Sequence, residues 1–359
     1  MSVKPFVIGL TGNIASGKSI VLQYLSNFGA LTIDADLAAQ ETYLPGNPAY
    51  VPILERFGPG LTLNDGQINR TKLGRAVFGD PSALAELEAM IHPQVIQNVL
   101  ASIAATSRRV VAVEGIKLIE VGLNKQCDRL WTVAADEETR LQRLMEARGM
   151  EEAAARQRLS AQAPQSEKIQ IADDTIYTDG SFQQTYEQTW SLFSALGLSP
   201  CEAVSEDGEI RISRLTPDHF AEAACFMAPK TERAWEAEEL YHLLGQRTVA
   251  AFYADGKLIQ MMILRVEQRM AILLTQTPPR SELLPAKVSF SLLKRYFCGL
   301  ADVLIAARDF LQPEEAKVLD FTYGDDEPPV HLTLYRNFLR KHGLMPGEVY
   351  FAKLEEKLA

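Results

Sequence analysis

An octapeptide near the N-terminus sets the architecture of the first half of the chain: Gly12-Asn13-Ile14-Ala15-Ser16-Gly17-Lys18-Ser19. An apolar run, 6–10, precedes it, and apolar residues at helical spacing follow it. Strand, G-x-x-x-x-G-K-S and helix in this order are typical of a phosphate-binding loop. Its glycines let successive backbone N–H groups face inward, and the helix N-terminus adds positive potential. The octapeptide therefore predicts a nucleotide site.

The loop residues have distinct expected roles. Lys18 would reach the β and γ phosphates of ATP, and Ser19 would ligate Mg²⁺. The candidate nucleotide contacts are Asn13, Ile14, Ala15, Ser16, Gly17, Lys18, Ser19 and Ile20. The alternative is a glycine-rich turn that binds nothing, which the strand and helix on either side of the loop disfavour.

The first half alternates short apolar runs with helical patterns. The runs are 6–10, 30–33, 110–114, 130–133 and 175–177. Continuous apolar strands separated by helices predict a parallel sheet with both faces covered, because parallel strands need crossovers. We therefore expect a doubly wound α/β domain of the P-loop NTPase type over 1–200, with a helical lid.

The second half has a different element order. Breakers and charges at 201–209 predict a linker, and 210–359 is predicted to be a separate α+β domain with a mainly antiparallel sheet. We expect strands at 210–215, 248–253, 257–266 and 270–276, with a tight Asp255-Gly256 hairpin turn. Helices are expected at 218–227, 234–244, 286–310 and 330–341, and further strands at 318–323 and 348–354.

Two carboxylates follow the second predicted strand. Asp34 and Asp36 come where that strand ends, at the edge where open α/β sheets bind ligands. A carboxylate there can accept the proton of an acceptor hydroxyl during phosphoryl transfer. An Asp at this place can also cap the next helix. We predict the capping role for Asp34 and the base for Asp36.

Composition limits the kinds of partner and the cellular location that we expect for the protein. The 359 residues carry a net charge of −10 and neither half is basic, which disfavours a nucleic-acid footprint. The four cysteines are scattered, so neither a zinc site nor a disulfide framework is indicated. No apolar run approaches the ~20 residues that span a bilayer, and the N-terminus lacks a leader pattern. We expect a cytoplasmic protein; its oligomeric state is open.

Residues 6 to about 195 resemble the dephospho-CoA kinases. The resemblance rests on the loop together with an ordered succession of motifs. These are Ile33-Asp34-Ala35-Asp36, Asp65-Gly66-Gln67-Ile68-Asn69-Arg70, Ile91-His92-Pro93, Leu118-Ile119-Glu120, Arg143-Leu144, Gln162 and Ala172-Asp173-Asp174. The resemblance implies transfer of the ATP γ-phosphoryl group to the ribose 3′-hydroxyl of dephospho-CoA, giving CoA and ADP, with Asp36 as base.

The resemblance also assigns further residues. Arg143 would act on the transferred phosphoryl group, and Arg148 and Arg158 would close over the nucleotide as part of the lid. For Arg148, a solvated helix face is an equal alternative. Arg70, His92 and Lys117 would contact the acceptor. Glu114 ends a strand and could hold Mg²⁺ through water; simple strand-end polarity is the alternative.

The element order of 210–359 looks like the fold of the GNAT acetyltransferases. Pro278 and Pro279 stand where such enzymes need backbone N–H groups for the CoA pyrophosphate. Three hypotheses follow. The first is a kinase with an appended domain of unknown role, the second a kinase that is also a CoA-dependent acyltransferase, and the third a non-catalytic nucleotide-binding switch.

Overall fold

The structure is a computed structural model of the whole chain. It describes residues 4–77, 79–198, 200–231, 235–267, 270–277, 284, 286–297, 303–307, 322–323, 339–341, 343–345 and 347–353. The predicted helix 330–341, the predicted strand 318–323 and the proline-containing turn at 278–279 lie wholly or largely outside these residues.

The described strands and helices alternate in the first half and change order in the second. The strands are β1 (Phe6–Thr11), β2 (Leu31–Asp34), β3 (Val110–Glu114), β4 (Arg129–Ala134), β5 (Asp174–Tyr177), β6 (Ala203–Val204), β7 (Ile210–Arg214), β8 (Thr248–Ala254), β9 (Lys257–Glu267), β10 (Met270–Thr277), β11 (Val303–Ala307), β12 (Thr322–Tyr323) and β13 (Val349–Lys353). The helices are α1 (Lys18–Asn27), α2 (Ala35–Glu41), α3 (Tyr50–Phe57), α4 (Arg70–Val77), α5 (Pro81–Ala105), α6 (Glu137–Arg148), α7 (Glu152–Ser160), α8 (Gln165–Ile171), α9 (Phe182–Ala195), α10 (Phe220–Thr231), α11 (Ala237–Leu244) and α12 (Ala286–Phe297).

A five-stranded sheet of order β2-β3-β1-β4-β5 organises the first half. Strand β1 pairs in parallel with both β3 and β4. These central strands are almost wholly buried, as expected of a parallel sheet covered on both faces. The predicted α/β class is confirmed, and the carboxyl ends of β1 and β3 carry the phosphate loop and Glu114.

An eight-stranded sheet organises the second half, in the order β12-β13-β11-β10-β9-β8-β7-β6. Strands β10 and β11 pair in parallel, while the other described pairs are antiparallel. Asp255 and Gly256 have φ of 51° and 76°, as a two-residue hairpin turn requires, so the predicted hairpin is confirmed. The mainly antiparallel α+β class is confirmed as well.

One predicted element is wrong. The expected helix 286–310 ends at Phe297 as α12, and Val303–Ala307 forms the buried strand β11. The run Val303–Ala307 is short and apolar, and such a run does not distinguish a buried helix from a buried strand. The sheet supplies partners on both sides of β11, which decides for the strand. Strand β6 lies inside the predicted linker 201–209 and pairs with β7, the first strand after it.

The contacts of the chain divide it into two compact units. One comprises Met1–Lys18 and Thr32–Ile176; the other comprises Ser19–Leu31 and Tyr177–Ala359. Helices α1 and α9 therefore group with the C-terminal elements, although the sequence suggests a boundary near 201–209. That boundary stays a prediction.

Among the described helices, none combines the length and the apolar character needed to cross a membrane. The longest of them, α5, contains 25 residues.

Gly9 in the middle of β1 tests how tightly the first sheet is packed. A Cβ at Gly9 would lie 2.9 Å from Cys127 Sγ, 3.1 Å from Leu130 Cδ1 and 3.2 Å from Leu118 Cδ2. We expect Gly9→Ala to lower the free energy of unfolding by about 1–3 kcal/mol through overpacking, as measured by urea denaturation. Gly60→Ala is the matched control, because nothing lies within 4 Å of its added Cβ. Equal unfolding midpoints for the two variants would contradict this packing.

Candidate active site

The phosphate loop connects β1 to α1 through a backbone that glycine makes possible. Gly12 has φ of 149° and Gly17 φ of 88°, and Ala15 also takes a left-handed φ of 59°. A Cβ on Gly12 would lie 2.3 Å from the carbonyl oxygen of Val133. The loop therefore depends on Gly12 for its close approach to β4, and the predicted strand-loop-helix is confirmed.

Lys18 is buried at the start of α1, with its ammonium group enclosed by oxygen atoms. Nζ donates to the carbonyls of Gly12 (3.1 Å) and Asn13 (3.2 Å) and lies 3.8 Å from Glu114 Oε1. Burial lowers the pKa of Lys18, and the Glu114 carboxylate partly offsets this. Burial likewise raises the pKa of Glu114 to about 7, against the effect of Lys18. Desolvation thus outweighs the attraction between the two groups.

Hydrogen bonds to other segments hold the loop conformation. Asn13 Nδ2 donates to the carbonyl of Ala163 at 2.9 Å, and the backbone N–H of Ile14 donates to Gln162 Oε1 at 2.8 Å. Arg143 on α6 donates from Nη1 to the carbonyl of Ala15 at 3.1 Å. Arg143 therefore lies beside the loop, where its guanidinium is next to the expected phosphate position.

Asp34 and Asp36 take different positions at the start of α2. Asp34 is the N-cap, and its side chain accepts from the backbone N–H of Leu37 at 2.9 Å, so the predicted capping role is confirmed. Asp36 lies in the first turn of the same helix. Although its side chain keeps solvent contact, partial desolvation raises the pKa of Asp36, and the Asp34 charge adds to this. A backbone hydrogen bond from Ile116 and the charges of Lys18 and Lys168 act in the opposite direction.

A mostly apolar cavity of about 210 Å³ opens next to Asp36. Its wall comes from α2, from α5 and from the chain after β3, and includes Ala35, Asp36, Ala39, Leu84, Leu87, Glu88, Ile91, His92, Val95, Gly115, Lys117, Leu118, Val121 and Leu123. Lys117 forms an ion pair with Glu88 at the wall. The predicted residues Asp36, His92 and Lys117 are thus brought together. Burial lowers the pKa of His92, which favours its neutral form.

The remaining predicted residues lie outside this wall. Arg70 is the exposed first residue of α4 and hydrogen-bonds to Tyr43. Arg148 is exposed at the end of α6, where its charge still reaches Lys18, and Arg158 is exposed on α7. Arg140 of the same arginine-rich segment is buried, so it does not belong to an exposed face.

Sequence reasoning missed Lys168 on α8. This lysine is only 8% exposed, and its Nζ donates to the carbonyl of Ile116 at 2.5 Å and lies 4.0 Å from Glu120 Oε1. Its charge acts on both Lys18 and Asp36. The sequence of α8 has the pattern of an ordinary polar helix, so nothing in it marks Lys168. The burial of this lysine is known only from the structure.

The arrangement fits a magnesium ion that binds together with a nucleotide. The mostly buried Glu114 offers carboxylate oxygens next to Lys18, and the charges of Asp34 and Asp36 also reach Glu114. Within the part of the chain that the structure describes, no three His, Cys, Asp or Glu side chains cluster as a metal cage. Mg²⁺ commonly binds through one or two protein oxygens plus substrate phosphates, so a cage is not needed.

Comparisons with known proteins match the first half of the chain to one enzyme family. The family model of dephospho-CoA kinase matches residues 6–184. The dephospho-CoA kinase of Geobacter metallireducens is 43% identical over 190 residues, covering 52% of this chain and 94% of that protein. That of Thermosynechococcus vestitus is 37% identical over 191 residues, covering 53% and 94%.

A GNAT-family acetyltransferase from Streptococcus pneumoniae also matches in structure, with 12% identity and a TM-score of 0.27, covering 40% of this chain and 96% of that one. A match at this TM-score says nothing about what the C-terminal domain does. The similarity to the two kinases, in contrast, extends over nearly their whole length, and the family model spans the phosphate loop. The chain belongs to the dephospho-CoA kinase family.

Proposed function

We propose that the chain transfers the γ-phosphoryl group of ATP to the ribose 3′-hydroxyl of dephospho-CoA and releases CoA and ADP. Family membership supports this reaction. The observation that carries it is the carboxylate of Asp36 on the wall of an apolar cavity, within electrostatic reach of the phosphate-loop lysine. A base, an acceptor cavity and a phosphate-binding cation are the parts that phosphoryl transfer to an alcohol needs.

In this reaction Asp36 accepts the proton of the 3′-hydroxyl as the oxygen forms its bond to the γ-phosphorus. The bond between that phosphorus and the β–γ bridging oxygen breaks, and ADP leaves with the electron pair. The carboxylate must be ionised to accept the proton, so activity is present above the pKa of Asp36 and is lost as the pH falls through it. The charges of Lys18 and Lys168 lower that pKa and so extend activity toward acid.

The phosphate loop and the neighbouring cations stabilise the transferred group. The stretch 13–20 surrounds the β and γ phosphates with N–H groups, and Lys18 supplies the buried charge. Entry of a phosphate gives the Lys18 ammonium a second anionic partner besides Glu114, which stabilises its charged form. Arg143 approaches from α6, and Arg148 and Arg158 close over the nucleotide.

Ser19 and Glu114 would hold Mg²⁺, Glu114 through water. When bound, the ion neutralises charge on the β and γ phosphates. Glu114 must be ionised for this role; burial raises its pKa to about 7, and the charge of Lys18 acts in the opposite direction.

The cavity would receive the acceptor. Its apolar wall suits the nucleoside part of dephospho-CoA, with His92 and Lys117 at the polar positions of the wall. Arg70 would contact a more distant part of the acceptor.

A cytoplasmic location and the absence of a nucleic-acid partner stay predictions from composition. A kinase that is also a CoA-dependent acyltransferase stays the alternative function.

The first test compares two neighbouring aspartates in the full chain. We expect Asp36→Asn to reduce kcat for dephospho-CoA phosphorylation by about 10²–10⁴-fold, because the general base is lost. Asp34→Asn is the matched control; asparagine also caps helices well, so we expect at most a few-fold change. ATP consumption is measured with dephospho-CoA, adenosine, shikimate and AMP as acceptors. Equal rates for the two variants, or turnover with another acceptor only, would contradict the proposal.

The second test concerns Lys168 and the pH profile of kcat/KM. Removing its charge in Lys168→Met leaves the Asp36 pKa higher, so the acid limb of the profile moves to higher pH. The loss of activity is therefore larger in the acid range than above neutrality. Lys125→Met removes an exposed lysine instead and should leave the limb in place. A uniform loss at every pH would assign Lys168 a purely structural role.

The third test concerns the metal. We expect Glu114→Gln to raise the half-saturating Mg²⁺ concentration by about 10–100-fold, because an oxygen anion at the metal position is lost. Initial rates are measured over a Mg²⁺ series at saturating ATP and dephospho-CoA. Glu55→Gln, at an exposed position, is the control. An unchanged Mg²⁺ requirement in Glu114→Gln would leave Glu114 as a partner of Lys18 alone.

A further inference from the structure

Helix α1 is fixed by contacts with the C-terminal domain, by which we mean residues 210–359. Asn27, only 2% exposed, is the centre of these contacts. Its Nδ2 donates to the carbonyls of Leu244 (2.8 Å) and Arg247 (2.9 Å), and its Oδ1 accepts from the backbone N–H of Val249 (2.8 Å). One side chain thus satisfies three backbone groups between α11 and β8.

Tyr24 lies one turn earlier on α1 and makes a similar contact. Its buried hydroxyl is 2.9 Å from the carbonyl of Tyr241 and 3.3 Å from that of Phe182, so it joins α1, α9 and α11. Burial raises the pKa of Tyr24, which keeps this hydroxyl protonated as a donor. Gly245 permits the close approach, because a Cβ there would lie 2.8 Å from Ile20 Cγ2 and 3.2 Å from the Tyr24 hydroxyl.

Helix α9 is tied to the same domain at two points. Glu238 accepts from the backbone N–H groups of Phe182 (2.6 Å) and Gln183 (3.3 Å), which supplies an anion at the helix N-terminus. Arg214 of β7 lies 3.7 Å from the ring centroid of Trp190 and donates to the Tyr186 hydroxyl at 2.8 Å. A planar guanidinium held by a stacked ring and a hydrogen bond is a specific contact, not a solvated surface pair.

We infer that the C-terminal domain is a brace for the phosphate-loop helix. It holds α1 through Asn27, Tyr24 and Gly245, so that nucleotide binding at the loop and the stability of residues 236–249 are linked. The link to nucleotide rests on the proposed function, whereas the brace itself does not. This gives the appended domain a role in the kinase reaction.

The physical reason lies in what α1 would lose without these contacts. Tyr24, Leu25 and Phe28 are buried, and the polar atoms of Asn27 are all engaged. Removing the domain would take away the packing of Gly245 against Tyr24 and leave the amide of Asn27 without the carbonyls of Leu244 and Arg247 and the N–H group of Val249. Because α1 begins with Lys18 and Ser19, looser packing of α1 loosens the two residues that would hold phosphate and metal.

The experiment inserts one methyl group into this contact. Gly245 has φ of −77°, so alanine is tolerated by the backbone and the effect is steric. We expect Gly245→Ala to lower the melting temperature of the full chain by about 3–10 °C. We also expect it to weaken ADP binding by at least about fivefold, measured by calorimetry with Mg²⁺. Gly74→Ala on α4 is the control, since nothing lies within 4 Å of the Cβ that this substitution adds.

A second pair of variants covers the case in which Gly245→Ala does not fold. Tyr24→Phe removes only the hydroxyl. It should also lower the melting temperature and weaken ADP binding, each by less than Gly245→Ala does. In wild-type protein, ADP should slow amide hydrogen exchange in peptides covering α11 and β8. Asn98→Ala, at a half-buried position on α5 where the side chain accepts from Gln94 at 2.8 Å, should leave that effect unchanged.

The outcomes separate the two proposals. If wild-type protein binds no ADP, the proposed function fails, and the brace is still judged by the melting temperatures. If Gly245→Ala melts like Gly74→Ala, the brace is overturned. If ADP binds but neither Gly245→Ala nor Tyr24→Phe changes its affinity, and exchange in 236–249 does not respond to ADP, the link to nucleotide is overturned.

Discussion

The buried charge of Lys18 is the constraint on which the site depends. An ammonium ion in a poorly hydrated position is costly unless anions and dipoles surround it. Here the carbonyls of Gly12 and Asn13 and the carboxylate of Glu114 surround it, and burial still lowers its pKa. The loop conformation that presents these carbonyls exists because Gly12 comes closer to Val133 than any side chain would allow. Fold and electrostatics are therefore set by the same few residues.

The buried charge of Lys18 also affects the carboxylates near it, Asp36 and Glu114. Burial raises the pKa of both Asp36 and Glu114, the charge of Asp36 raises that of Glu114 further, and the cations nearby act in the opposite direction. Lys168 supplies one such cation and also holds the carbonyl of Ile116, whose N–H group hydrogen-bonds to Asp36. The base and the chain segment after β3 are thus stabilised by one buried lysine.

Local signals in the sequence predicted much of this. The phosphate loop, the central strands, the Asp34 cap and the Asp255-Gly256 turn each depend on neighbouring residues, and each is present. Hydrogen bonds between distant segments carried no such signal. Examples are those that join Gln162 to Ile14, Lys168 to Ile116 and Asn27 to Val249. The helix predicted over 286–310 failed for the same reason. Only the partners of β11 in the sheet distinguish it from a helix.

Helix α1 shows why a domain boundary drawn along the chain differs from one drawn through contacts. In sequence it is the helix of the phosphate loop, but it groups by contacts with residues 177–359. A helix of ten residues is about 15 Å long and moves as a stiff rod, so a restraint at Asn27 also restrains Lys18 at the other end. A domain that contacts α1 at Tyr24 and Asn27 can therefore influence phosphate binding without contributing a residue to the active site.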